Sequence, residues 1–246
     1  PTKNPKTSVT AADMIITDDN FASLINAIEE GRHIFLQIKN TIKYLLSCNL
    51  GEILYIVPAV LLGLPVLTPL QILYMNIVTD GLPAISLAFS AKDPHSMRKP
   101  PRRALTILDR ADGWYLFSVA VGTALIGYLA AYLWIGVDGL ATHTTVVFTA
   151  IMFSQHFVLT DLWVSHKSVL RNLALFGKPV FLVAFFLPVV THPFLLYHPL
   201  FQQVFQTVPL GPVPLFIAVG SASLMLFGTE AVKFVNHFRR ASISKS

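Results

Sequence analysis

Apolar residues in this chain gather in six long blocks, roughly 44–64, 67–90, 114–137, 144–164, 179–198 and 213–235, with short polar stretches between them. A helix that crosses a bilayer needs about 20 mainly apolar residues. The pattern therefore predicts an all-α polytopic membrane protein with six transmembrane helices. Gly63-Leu64-Pro65 leaves so little chain between the first two blocks that they form a tight hairpin. Pro58, Pro83 and Pro188 fall inside blocks. That is tolerated in a membrane where neighbouring helices or a cavity satisfy the freed backbone groups. Trp114, Trp134, Trp163 and Tyr197 stand near block ends, where an aromatic belt meets the headgroups.

Ahead of the first block the pattern changes. Met14-Ile15-Ile16-Thr17 is a short apolar run that reads as a strand, and Asp18-Asp19-Asn20 as a turn able to cap a helix. Phe21, Leu24, Ile25 and Ile28 recur at helical spacing. A basic helix over 34–43 then leads into the first span as a stalk. Pro1 to Thr7 has linker composition. Some 33 residues cannot bury a core of their own, so the strand and helix are expected to dock on other protein. The polar start argues against a cleaved leader.

Composition sharpens the class. Soluble domains average about 45–50% apolar and about 25% charged residues. This 246-residue chain is 54% hydrophobic and 13% charged, with a mean hydropathy of +0.61. So little charge excludes a soluble or disordered protein, and a nucleic-acid partner is excluded despite a pI near 9.4. The single cysteine, Cys48, excludes a disulfide scaffold or a cysteine-based zinc centre. All 18 Lys and Arg residues lie before the first block, between the second and third, between the fourth and fifth, or at and beyond the end of the sixth. The alternate loops near 63–66, 138–143 and 198–212 hold none. This bias puts both termini in the cytoplasm; it reads the same for a plasma or an internal membrane.

Carboxylates inside spans are expensive, at about 2.5–3.5 kcal/mol on insertion scales. Glu52 follows Asn49 by three residues, which places both on one helix face. Asp80 follows Asn76 and Thr79 at i+4 and i+1, again on one face. The two helices are hairpin partners, so Asn49, Glu52, Asn76, Thr79 and Asp80 can converge as an all-oxygen metal site. Such a set suits a hard cation, and Ca²⁺ takes 6–8 oxygens. Asp80-Gly81-Leu82-Pro83 is expected to unwind the helix just after the ligands and free carbonyls for the ion. The bland alternative is that these groups glue helices together by hydrogen bonds. Asp161, near His166 and Lys167, and Glu230, one turn before Lys233, read as structural ion pairs. His143, His192 and His198 read as interfacial, His156 as a core histidine and Cys48 as a packing residue. Arg239-Arg240-Ala241-Ser242 has the form of a basophilic kinase site, a pattern short enough to arise by chance.

These residues resemble the C-terminal third of a P-type cation-transporting ATPase, closest to the Ca²⁺-pump branch. A-A-D-M-I-I-T-D-D-N-F is similar to the end of the phosphorylation domain, and E-E-G-R-H-I-F-L-Q-I-K-N-T-I-K-Y-L to the stalk entering the fifth membrane helix. S-C-N-L-G-E and N-I-V-T-D-G-L-P-A-I-S-L-A-F are similar to the cation-binding fifth and sixth helices, and D-P-H-S-M-R-K-P-P-R to the loop after them. The resemblance implies a phosphorylation-domain remnant over 1–33, the stalk over 34–43, a C-terminal transmembrane domain over 44–240 and a cytosolic tail over 241–246. It implies that Asn49, Glu52, Asn76, Thr79 and Asp80 are cation ligands, with Ca²⁺ as cargo and Mn²⁺ hard enough to share the site. Where the family's eighth helix supplies a glutamate, the resemblance places Ile151, with Gln155 a poor substitute one turn later. That departure implies one cation per cycle. Glu52 and Asp80 are expected to take up protons when the cation leaves, giving countertransport.

No D-K-T-G-T, no T-G-E and no G-D-G-x-N-D motif occurs in the sequence. The resemblance then implies that helices one to four and the actuator, phosphorylation and nucleotide domains belong elsewhere, in the same or a companion chain. ATP and Mg²⁺ would act only in the complete pump. This chain alone is expected not to hydrolyse ATP. The competing function is a non-catalytic membrane protein or regulator built on a pump's transport half. An unrelated secondary transporter would need an inverted repeat, and none is visible.

Overall fold

A computed structural model describes residues 21–64, 66–90, 92, 96–98, 106–134, 139–164 and 177–243, with side chains from Ala22 to Ala231. The expected strand at 14–17, the turn at 18–20, the linker at 1–7, His166 and Lys167, and the side chains of Lys233, Arg239, Arg240 and Ser242 lie outside the described residues. Among those described every element is helical. The chain divides into two compact units, one of residues up to Leu36 with 92–103, the other of Gln37–Ala91 with Ala104–Ser246.

In the first unit the opening turns of the long helix α1 (Phe21–Leu62) meet the chain near Ser96. Arg32 Nη1 donates to the Ser96 carbonyl at 2.8 Å. Lys92 Nζ stands 2.5 Å from Glu30 Oε2 in a solvent-exposed pair. The expected helix, stalk and first span are thus one unbroken helix of 42 residues, about 63 Å at 1.5 Å per residue. Gly31 does not interrupt it, because a lone glycine costs a helix only about 1 kcal/mol.

The second unit holds the membrane helices. α1 stops at Gly63, whose φ of +65° only glycine adopts without strain. The amide of Gly63 donates to the Val60 carbonyl at 3.3 Å and that of Leu64 to Ala59 at 2.9 Å, which closes the end with a Schellman pair. A new helix starts at Pro69. Thr68 caps it reciprocally with Gln71, and Pro69 sits where no amide is needed. This helical run is α2 (Pro69–Tyr74), a π-helical turn over Met75–Gly81, and α3 (Leu82–Leu87). The expected unwinding after Asp80 is therefore a widened turn within a continuing helix. Pro83 has no amide for the carbonyl of Thr79 four residues back, and the Tyr44 hydroxyl of α1 donates to that carbonyl at 2.8 Å.

α4 (Arg110–Leu133), α5 (Leu140–Val164), α6 (Pro179–Tyr197), α7 (Pro199–Phe205) and α8 (Pro212–Ile243) complete the unit. Five helices, α1, α4, α5, α6 and α8, are each long and apolar enough to cross a membrane. The remaining expected span, 67–90, is the α2–π–α3 run, which the π turn divides. α5 is the central helix, buried along nearly its whole length and packed on both α4 and α8. Trp114 and Tyr197 are exposed, as a belt requires, but Trp134 and Trp163 are buried. Trp163 stacks edge-on to Phe181 at 5.2 Å and donates to Ser86 Oγ at 3.2 Å. His192 is buried too, against Phe148 and Phe153, with Thr149 Oγ1 3.0 Å from its Nε2. Packing between α5 and α6 thus overrides the interfacial reading of this histidine.

Two features hold α1 to α4. One is close approach at glycine. A Cβ on Gly51 would lie 2.9 Å from Thr123 Cβ, and one on Gly127 would lie 2.8 Å from the Tyr55 ring. Tyr128 adds a donor to the Tyr55 carbonyl at 2.8 Å. The other is an ionic cluster. Asp109 caps α4 in a reciprocal box with Asp112. Lys39 Nζ reaches Asp112 Oδ2 at 2.5 Å and Asp109 Oδ2 at 3.2 Å, and Lys43 Nζ reaches Asp112 Oδ1 at 3.4 Å. Lys39 and Asp112 are buried. Lys43 also stands 4.2 Å over the Tyr115 ring, whose hydroxyl donates to buried Asp161 at 2.8 Å. The Asp112 amide, followed by Lys39, holds the Asp109 carboxyl down at about 2. Its contribution is complete above the unfolded value near 3.9 and fades as pH falls through about 2.

Gly127→Val is expected to destabilise by about 1–3 kcal/mol through overpacking, whereas Gly113→Ala, in open space, leaves stability level or higher. Asp112→Ala is expected to cost about 3–5 kcal/mol by stranding buried charge, against about 0.5–2 kcal/mol for the cap residue in Asp109→Ala. Reversible unfolding in mixed detergent micelles measures all four.

Candidate functional site

Tyr44, Cys48 and Glu52 follow one another at four-residue steps along α1, which puts them on a single face, and all three are buried. That face meets the π turn. Tyr44 reaches the Thr79 carbonyl. Glu52 meets Thr79 through a third residue, Gln155 of α5. Gln155 Nε2 donates to Glu52 Oε1 at 2.9 Å, and its Oε1 accepts from Thr79 Oγ1 at 3.2 Å. One fully buried amide thus joins three helical runs. Ile151, one turn earlier, is packed in the apolar cluster with Tyr55, Phe148 and Leu195. Sequence reasoning undervalues Gln155; its signal is that it is the one amide side chain of the 144–164 block.

Asp80 follows Thr79 in the π turn and is fully buried. Among the described residues neither carboxylate oxygen has a hydrogen-bond partner. The Glu52 carboxylate acts on it electrostatically. Asn49 and Asn76 are partly exposed, unlike Glu52, Thr79 and Asp80. Each turns its amide nitrogen back on its own helix, Asn49 to Leu45 at 2.8 Å and Asn76 to Ile72 at 3.1 Å. The amide oxygen of each is then the atom a cation would use. Among the described residues no three His, Cys, Asp or Glu side chains are gathered on one point. The structure therefore brings Glu52, Thr79 and Asp80 into one buried region, with Glu52 held by Gln155, and leaves the two asparagines at its edge. Buried, oxygen-rich and short of donors, the region suits a cation better than an anion.

The chain has known relatives. Residues 64–235 match the family model described as cation transporting ATPase, C-terminus. The calcium-transporting ATPase of Bacillus subtilis (strain 168) is 32% identical over 225 residues, 88% of this chain and 25% of the relative. Calcium-transporting ATPase 1 of Yarrowia lipolytica is 35% identical over 227 residues, 91% of this chain and 24% of the relative. The endoplasmic reticulum calcium ATPase srcA of Aspergillus fumigatus is 44% identical over 127 residues, 50% of this chain and 13% of the relative. The chain spans about a quarter of the length of the first two. With most of its length matched by the family model and its membrane helices in place, the chain belongs to the P-type cation-transporting ATPases, as their C-terminal membrane region.

Proposed function

We propose that this chain is the ion-binding membrane part of an ATP-driven divalent-cation pump and that Ca²⁺ is its cargo. One observation carries the reading: two carboxylates, Glu52 and Asp80, are buried on facing helical runs, and among the described residues no donor reaches either Asp80 oxygen. A buried charge is costly unless paired or bound to metal, and a travelling cation supplies the missing partner. The names of the relatives, all calcium-transporting ATPases, support Ca²⁺. Mn²⁺ is hard enough to compete for an oxygen site.

In this reading Glu52, Thr79 and Asp80 form the centre of the site, with Asn49 and Asn76 closing it from the edge. Gln155 holds Glu52 while the site is empty and yields it when the ion enters. Protons replace the ion on the carboxylates during the return, which gives countertransport. The complete pump binds ATP and Mg²⁺ in domains this sequence does not contain, and the stalk over 34–43 carries their movement to Asn49 and Glu52. Both termini of the chain face the cytoplasm, on the side of the Lys and Arg residues.

In the whole protein that carries this chain, Glu52→Gln and Asp80→Asn are each expected to weaken Ca²⁺ activation of phosphoenzyme formation by about two orders of magnitude or more, because charge count sets Ca²⁺ affinity. Gln155→Ala is expected to shift it by about tenfold, as for a partner that orients a ligand. Phosphorylation from ATP over a Ca²⁺ titration measures this; normal activation in both carboxylate variants would overturn the proposal.

A further inference from the structure

The chain from Pro179 to Thr229 contains no Asp, Glu, Lys or Arg, so the bend between α6 and α7 offers nothing to a partner recognised by charge. What it offers is shape. α6 ends at Tyr197, His198 is extended, and Pro199 opens α7 at once. Pro193, Phe194, Tyr197, His198 and Pro199 line a groove of about 340 Å³ at this bend, and all five are exposed. The groove runs on into a stripe along α6. Leu187, Val190, Phe194 and Tyr197 follow at steps of three or four residues, which puts them on one face, and each is exposed. The rise from Leu187 to Tyr197 is about 15 Å, half of the roughly 30 Å hydrocarbon thickness and so the depth of one leaflet. The walls of the groove are fixed before anything binds. Tyr197 donates to the Leu210 carbonyl at 2.7 Å, Gln202 Nε2 to that of Leu196 at 2.6 Å, and Gln71 Nε2 to that of Phe205 at the end of α7 at 3.0 Å. A preorganised groove costs less to fill than one formed on contact.

We propose that this groove holds one zwitterionic phospholipid of the bilayer, with an acyl chain lying along Phe194, Val190 and Leu187 and the headgroup at the level of Tyr197 and His198. The groove is continuous with the exposed apolar face that a membrane helix turns to lipid, which selects a lipid over a soluble ligand. Anionic lipids are drawn by clusters of Lys and Arg; with none on this stretch, the headgroup needs no net charge. Tyr197 stands where amphipathic rings meet headgroups. Annular lipid exchanges freely along a single convex helix, whereas a chain in the bend is touched by α6 and α7 together and stays. The site shares no residue with the Glu52 and Asp80 region and stands whatever ion that region takes.

The probe is phosphatidylcholine with a photoactivatable diazirine in one acyl chain. The whole protein that carries this chain is purified in detergent, titrated with the probe, irradiated and digested, and the adducts are mapped by mass spectrometry. Adducts between Pro193 and Pro199 are expected to saturate at a low probe fraction. Those on Phe216, exposed on α8, are expected to rise in proportion throughout. Phe194→Ala, at an exposed position that the fold does not need, is expected to raise the probe fraction for half-labelling about tenfold, as for the loss of a half-covered aromatic contact. A phosphatidylglycerol probe with the same chains is expected to saturate no earlier than phosphatidylcholine. Parallel, unsaturated labelling of the groove and of Phe216 means annular lipid only and would overturn the proposal. A groove left unlabelled overturns it too, because protein then covers the bend. Phosphatidylglycerol that saturates at about a tenfold lower fraction overturns the zwitterionic assignment.

Discussion

A carboxylate deep in a membrane protein must be matched by something, and among the described residues neither Asp80 oxygen is matched by a hydrogen-bond donor. The surrounding structure is organised around that deficit. The π turn carries Thr79 and Asp80 inward on successive positions. α1 brings Tyr44, Cys48 and Glu52 against it along one face. Gln155 spans the gap from α5, giving its nitrogen to Glu52 and its oxygen to Thr79. An amide is suited to this place because it donates and accepts at once and carries no charge to desolvate.

Holding such groups in register requires stiff helix contacts, and these come from small residues and from charge at different levels. Gly51 and Gly127 let α1 and α4 approach until any added carbon would collide. Nearer the polar end of the bundle, Lys39 and Lys43 share Asp112, and Tyr115 joins them to Asp161. Buried ion clusters of this kind add little net stability but resist rearrangement, since removing one partner strands the others.

The sequence carried the helical class, the spans and the two carboxylates, because hydropathy and spacing act locally. Met75–Gly81 shows where local signals stop. The Asp-Gly-Leu-Pro run announced a defect, but whether the backbone opens or widens depends on Tyr44 satisfying the Thr79 carbonyl across the hairpin. Their place in a block points His192 and Trp163 to the interface, but packing against α5 and Phe181 buries both. Gln155 follows the same rule, since the Thr79 hydroxyl that it accepts from lies 76 residues away in sequence.

A π turn contains one residue more than the α turns on either side, a surplus that widens the backbone locally. If it migrates by a single place, every side chain it passes is swung by about 100° around the axis, the angle between neighbours at 3.6 residues per turn. Thr79 and Asp80 are within the seven residues that hold the surplus. Their oxygens can therefore be pointed toward or away from α1 without melting a helix.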